Sequence, residues 1–229
     1  MRWLALVLAC LATPALASGV TSARYADPTD RYAHGILGDA IEWGALLIET
    51  ADGRNLRLTL PQTRVFEDTE PRLADVDGDG DNEVVVVETD MRLGARLSIY
   101  DETGLISSNE YIGRTNRWLS PIGIADLDGD GRIELAFVDR PHLAKTLRVF
   151  SYAPGALELR AELPGVTNHR IGERDIAGGI RVCDDAPEMI VANARWTRVL
   201  AVSWDGSEFA VTDLGPHQNR ASFAQAMTC

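Results

Sequence analysis

Apolar and polar residues alternate along this chain in short runs, broken every few residues by Gly, Asp or Asn. Leu157-Glu-Leu-Arg-Ala-Glu-Leu163 repeats with a period of two, the pattern of a strand with one solvated face. Residues 84–87 and 135–138 are instead unbroken apolar runs, as expected of strands covered on both sides. Four strand-like runs end at a glycine turn: residues 44–53, 95–104, 146–155 and 199–206. Asp-Gly at 52–53 and at 205–206 is a hairpin signal, because the tight turn between two strands needs positive φ. The expectation is an all-β chain.

The turn glycines Gly53, Gly104, Gly155 and Gly206 are spaced 51 residues apart. A second feature has the same interval: Asp75-Val-Asp-Gly-Asp-Gly-Asp-Asn-Glu83 recurs as Asp126-Leu-Asp-Gly-Asp-Gly-Arg-Ile-Glu134. A third, degenerate copy, Gly179-Ile-Arg-Val-Cys-Asp-Asp-Ala-Pro-Glu188, keeps the frame with about three extra residues. Each unit therefore reads as strand, Asp loop, strand, strand, Gly turn, strand. Four strands per unit of about 40–50 residues is the arithmetic of a β-propeller blade. The spacing predicts a small propeller of four four-stranded blades within residues 18–229, with units at about 25–65, 66–116, 117–167 and 168–219. The first unit lacks its opening strand and runs over 32–60. Residues 220–229 fall where a fifth opening strand belongs, so they are expected to pair beside 32–38 and close the ring.

The two intact loops have the chemistry of a hard-cation site. Ca²⁺ takes six to eight oxygens, and Asp-x-Asp-x-Asp-Gly converges three carboxylates on one point while the glycine allows the sharp turn. Asp75, Asp77 and Asp79, the backbone at Asp81, and Glu83 form the first expected ligand set. Asp126, Asp128 and Asp130, the backbone at Arg132, and Glu134 form the second. An EF-hand is a poor fit: position twelve holds Val86 and Phe137 in place of a bidentate Glu, and the flanks are strands.

Strand–DxDGDGxxE–strand units of this kind resemble the FG-GAP/VCBS repeats of integrin-α-type β-propellers. The resemblance covers residues about 66–216 and is strong at the two intact loops. It implies a β-propeller fold with one Ca²⁺ held by each loop; members of the family serve adhesion, carbohydrate binding and partner recognition, and the resemblance does not choose among these roles. The final Glu at 83 and 134 stands where the family motif usually has Asp, and four blades are fewer than the family often has.

Residues 1–17 read as an export leader: Arg2, an apolar run over 3–11, and an Ala15-Leu16-Ala17 cleavage site. A secreted or periplasmic location follows, and with it a disulfide between Cys183 and Cys229. A formal charge of −12 argues against nucleic acid and anionic lipid as partners. No later stretch reaches the length of a membrane span. The expected partner is a protein or carbohydrate of the cell envelope. Beside a binding or scaffold module stand two alternatives, a purely structural calcium-stabilised domain and a hydrolase or lyase with its site in the propeller mouth, but catalysis has little support. His34, His142, His169 and His217 are scattered and read as surface residues, and no nucleophile or metalloprotease motif occurs. Trp43, Trp118, Trp196 and Trp204 read mainly as packing, with Trp118 and Trp196 open to a sugar-stacking role. Arg114, Arg117, Arg140 and Arg195 flank strand ends, where they balance the acidic loops or bind an anion in the propeller mouth.

Overall fold

A computed structural model describes residues 19–183 and 186–229; the export leader expected at 1–17 lies outside them. The first unit is β1 (Val20–Thr29), β2 (Glu42–Thr50) and β3 (Asn55–Thr59). The second is β4 (Arg64–Phe66), β5 (Arg72–Ala74), β6 (Glu83–Asp90), β7 (Gly94–Asp101) and β8 (Gly104–Ser108). The third is β9 (Leu119–Ala125), β10 (Glu134–Asp139), β11 (Thr146–Ser151) and β12 (Glu158–Pro164). The fourth is β13 (Val166–Thr167), β14 (Gly179–Cys183), β15 (Ala186–Asn193), β16 (Arg198–Trp204) and β17 (Phe209–Pro216). All pairing is antiparallel, and each unit runs outward in chain order, as β9-β10-β11-β12 does. In the second and fourth units the opening strand is split in two, β4 with β5 along β6 and β13 with β14 along β15. The fold is all-β, as the alternation predicts, and Gly53, Gly104, Gly155 and Gly206 all have positive φ at the turn between the last two strands of each unit.

The continuous apolar runs are explained by the stacking of the units. Along β6, Val84 and Val86 face a core shared with Leu46, Ile48 and Phe66 of the first two units. Val85 and Val87 face the other way, onto Leu119, Leu135 and Phe137 of the third. β10 divides in the same manner: Leu135 and Phe137 point to the second unit, Ala136 and Val138 to Met189 and Val191 of the fourth. Successive side chains of a strand point to opposite faces, so a strand between two cores is apolar at every position.

Three expectations need correction. Residues 220–226 form a helix, α1 (Arg220–Ala226), not a strand. The segment is Arg-Ala-Ser-Phe-Ala-Gln-Ala, rich in helix formers and without a β-branched residue. Asn219 caps it, accepting from the Ala221 amide at 2.8 Å, while Ser222 reaches back to the Asn219 amide. Phe223 and Ala226, three apart on one face, cover Ile190, Ala192, Val199 and Ala201 of the fourth unit. The C-terminal segment thus caps the last unit, and among the described residues no strand pairs the first unit with the fourth. Second, the strand expected at 32–38 is a loop; the strand that pairs with β2 is β1, closer to the N-terminus. Third, the degenerate Asp loop is shortened. Ala74 pairs with Glu83 and Ala125 with Glu134, but Cys183 pairs with Ala186, leaving only positions 184 and 185 between the strands. The additional residues lie earlier, in the 170–178 segment ahead of β14.

Near the middle of the molecule, residues one repeat apart meet. Trp118 donates its indole N–H to the Glu67 carbonyl at 2.8 Å and packs edge-on against His169, ring centroids 4.9 Å apart. The Glu67 carboxylate, fully buried, takes hydrogen bonds from His34 Nδ1 at 2.5 Å and Thr89 Oγ1 at 2.6 Å. His169 is buried and His34 and His142 are partly so, which corrects the reading of these histidines as surface groups.

Cys183 and Cys229 are joined in a disulfide, and Arg181 holds the Ala226 carbonyl at 2.6 Å beside it. Replacing both cysteines by serine opens a cross-link of 46 residues. The chain-entropy cost is at most about 4 kcal/mol. We expect a lower melting temperature, with hydrogen exchange faster in 220–226 than in β6 or β10; uniform exchange across all three would contradict α1 as a pinned cap.

Candidate functional site

The Asp loops join the first and second strands of their units, and strand direction alternates, so they share one end of the molecule with the Gly turns. Both begin where a short strand ends (Ala74, Ala125) and finish where a buried strand begins (Glu83, Glu134). The chain between doubles back through two glycines in the left-handed region, Gly78 (φ 78°) and Gly80 (φ 96°) in one, Gly129 (φ 78°) and Gly131 (φ 87°) in the other. Glycine reaches these angles without the steric cost that a Cβ would carry there.

The two loops match hydrogen bond for hydrogen bond. The Asp75 carboxylate accepts from the amides of Gly78 (2.8 Å) and Gly80 (3.1 Å), as Asp126 does from Gly129 (2.8 Å) and Gly131 (3.0 Å). Asp77 and Asp128 each accept from the amide two residues on, and so do Asp79 and Asp130. The glutamates reach back across the loop: Glu83 accepts from the Val76 amide at 2.8 Å and Glu134 from Leu127 at 2.9 Å. That last contact has no local signature, and only the 51-residue recurrence of Glu at the start of a buried strand points to it.

Asp75, Asp77 and Glu83 form a group whose ligand oxygens all lie within 4.8 Å of one another, and Asp126, Asp128 and Glu134 form the second. Asp79 and Asp130 lie outside these trios, with Asp130 held by Arg132 through an ion pair. The Asp81 side chain points toward Gly19, where an added Cβ would come within 2.6 Å of its carboxylate. Asp128 abuts the next unit's Gly turn in the same way, at 2.8 Å from a Cβ built on Gly206. Glu83 and Glu134 are almost fully buried. Burial, together with the neighbouring aspartates, pushes the Glu83 carboxyl up to about 7 and raises Glu134 as well. The donors are all oxygen, hard and convergent, the set that suits Ca²⁺ or Mg²⁺ rather than a soft metal.

Residues 75–137, which span both loops and the strands between them, match the family model of the FG-GAP-like repeat. That segment carries the FG-GAP-like repeat pattern. A search of the curated proteins finds no match. The FG-GAP-like segment begins at the first aspartate of one loop and ends within the strand after the other, so the matched pattern contains the two carboxylate trios entire.

Charging Glu83 is disfavoured in the folded, metal-free protein. A raised carboxyl pKa gives stability that is present at low pH and lost as pH rises, here between about 4.5 and about 7. With chelator present, wild type is expected to lose stability across that window and Glu83→Gln to lose less, measured by denaturant melts at pH 5 and pH 7.5. Parallel losses in the two proteins would remove Glu83 as the cause.

Proposed function

We propose that this protein is a calcium-binding, propeller-like binding module of the cell exterior, in which the two Asp loops fix the geometry of neighbouring units and other surfaces meet the partner. The observation that carries the reading is the pair of equivalent carboxylate trios, 51 residues apart, each ending at the start of a buried strand. Asp75, Asp77 and Glu83 hold one ion in this reading, and Asp126, Asp128 and Glu134 the other; Asp79 and Asp130 and the backbone at Asp81 and Arg132 complete the oxygen shells. Calcium supplies positive charge that offsets the mutual repulsion of the carboxylates. Export follows from the leader at residues 1–17, and a disulfide in a chain of this kind fits an oxidising compartment. No helix among the described residues is long and apolar enough to cross a membrane. Envelope protein or carbohydrate remains the partner class of this reading, and residues 18–229 its single domain.

Exposed loops of this type bind Ca²⁺ with Kd about 10⁻⁴ to 10⁻³ M. At about 1 mM free Ca²⁺ each site then adds roughly 0.4 to 1.4 kcal/mol, or roughly 1 to 6 °C in melting temperature. Asp77→Ala and Asp128→Ala should each remove one increment in calcium. In chelator, either substitution should raise stability slightly, because it relieves repulsion. A wild-type melt indifferent to calcium and chelator would overturn the reading.

A further inference from the structure

The end of the molecule opposite the Asp loops carries a cavity of about 370 Å³, bounded by the loop between β1 and β2, the linkers that enter the third and fourth units, and the turn between β10 and β11. That volume lies within the range of small-molecule sites. Although the chain is strongly acidic, no Asp or Glu lines the cavity, whereas Arg117, Arg140, His34 and His142 do. Arg140 is already paired with Asp139, its two nitrogens at 2.9 and 2.8 Å from the carboxylate. Arg117 has only a carbonyl, that of Asn116 at 2.8 Å, and is half-buried. One guanidinium is therefore uncommitted to a carboxylate.

His142, in the lining, and His169 behind it form a neutral hydrogen-bonded pair. Burial holds His142 down to about 4 and keeps His169 below its usual value, so both are uncharged at neutral pH. His169 Nε2 lies 2.9 Å from the Glu173 carbonyl, which only accepts, so the proton sits on Nε2. Its Nδ1 must then accept from His142 Nε2, 3.2 Å away. His142 Nδ1 is left as an acceptor.

Two further features single out this place. Asn116 (φ 53°) and Arg140 (φ 44°), both in the lining, are left-handed non-glycine residues, a backbone strain that concentrates at ligand sites. The rim carries Leu143 and Ile171, 62 % and 69 % exposed, which no core requires. Ile171 lies in the 170–178 segment, whose Gly172 amide bonds the Ile36 carbonyl of the β1–β2 loop at 3.0 Å. The longer approach to β14 thus builds one side of the cavity.

We propose that this cavity binds a small organic monocarboxylate with an apolar body, its carboxylate on Arg117 and its apolar part against Leu143 and Ile171. A single uncommitted guanidinium matches one negative charge better than the two of a phosphate monoester, and its planar fork matches a carboxylate. The proposal rests on the reading of the protein as a binding module and gives that module a ligand class; it does not depend on calcium, whose loops are at the other end.

The test is titration of the intact mature protein, disulfide formed, with benzoate, benzyl alcohol, phenyl phosphate and N-acetylphenylalanine, followed by ligand-observed NMR in calcium and in chelator. Benzoate should bind, and benzyl alcohol and phenyl phosphate should bind about tenfold or more weakly, since a charge-assisted pair is worth about that factor. Arg117→Gln should weaken benzoate by a similar factor with an unchanged melting temperature, and Arg117→Lys should restore part of it. Leu143→Ser should weaken benzoate while sparing acetate. Tighter binding of N-acetylphenylalanine than of benzoate would assign the carboxylate to a peptide C-terminus, and the reverse to a free acid. No benzoate binding, equal binding of benzyl alcohol, or full affinity in Arg117→Gln would each overturn the proposal. Benzoate binding unaffected by chelator, in a protein whose melt ignores calcium, would sink the calcium reading and leave this one standing.

Discussion

Three carboxylates brought within 4.8 Å of one another at the mouth of a buried strand repel, and the loop must hold them there against that repulsion. Each Asp loop does so with backbone amides. Asp75 and Asp126 each cap two glycine amides, and Glu83 and Glu134 cross the loop to a third. Those glutamates are also the first residues of the strands whose side chains alternate between two cores. The register of β6 and β10, and so the packing of one unit on the next, is coupled to the loop that precedes each. A cation turns the repulsion into attraction, which is why the loops are read as structural metal sites and not as the surface that meets a partner.

The fourth unit shows the same problem solved by other means. Its loop is reduced to positions 184 and 185, with Ala186 where the other units have the buried glutamate. A disulfide at Cys183 and the capped helix α1 anchor that end instead. α1 also covers an apolar face of the fourth unit, formed by Ile190, Ala192, Val199 and Ala201. The cover is helical because its residues favour helix and supply their own cap.

What the sequence made legible is local. Glycines at 53, 104, 155 and 206 mark turns because positive φ is a property of one residue, and the Asp loops are recognisable because their spacing is set within nine positions. The unbroken runs at 84–87 and 135–138 declare strands covered on both faces. What was not legible depends on contacts far apart in the chain. β1 alternates too weakly to stand out, with Asp27 and Pro28 inside it, and is a strand because β2 offers it a full edge. The meeting of Glu67, Trp118 and His169 follows from repeat spacing only once the units are seen to stack, and the tautomer chain through His142 has no sequence signature. Extending the lattice past residue 219 failed because a repeat interval says where an element falls, not what its residues prefer to form.

The central claim is that the two carboxylate trios are cation sites, one per intact loop. Counting bound calcium addresses it most directly, by equilibrium dialysis of the mature, chelator-stripped protein against a calcium series. The account predicts two calcium ions per chain for wild type, one for Asp77→Ala or Asp128→Ala, and none for the double substitution. A wild-type protein that binds no calcium up to about 10 mM, well above the expected Kd, or two ions that persist in the double substitution, would contradict it.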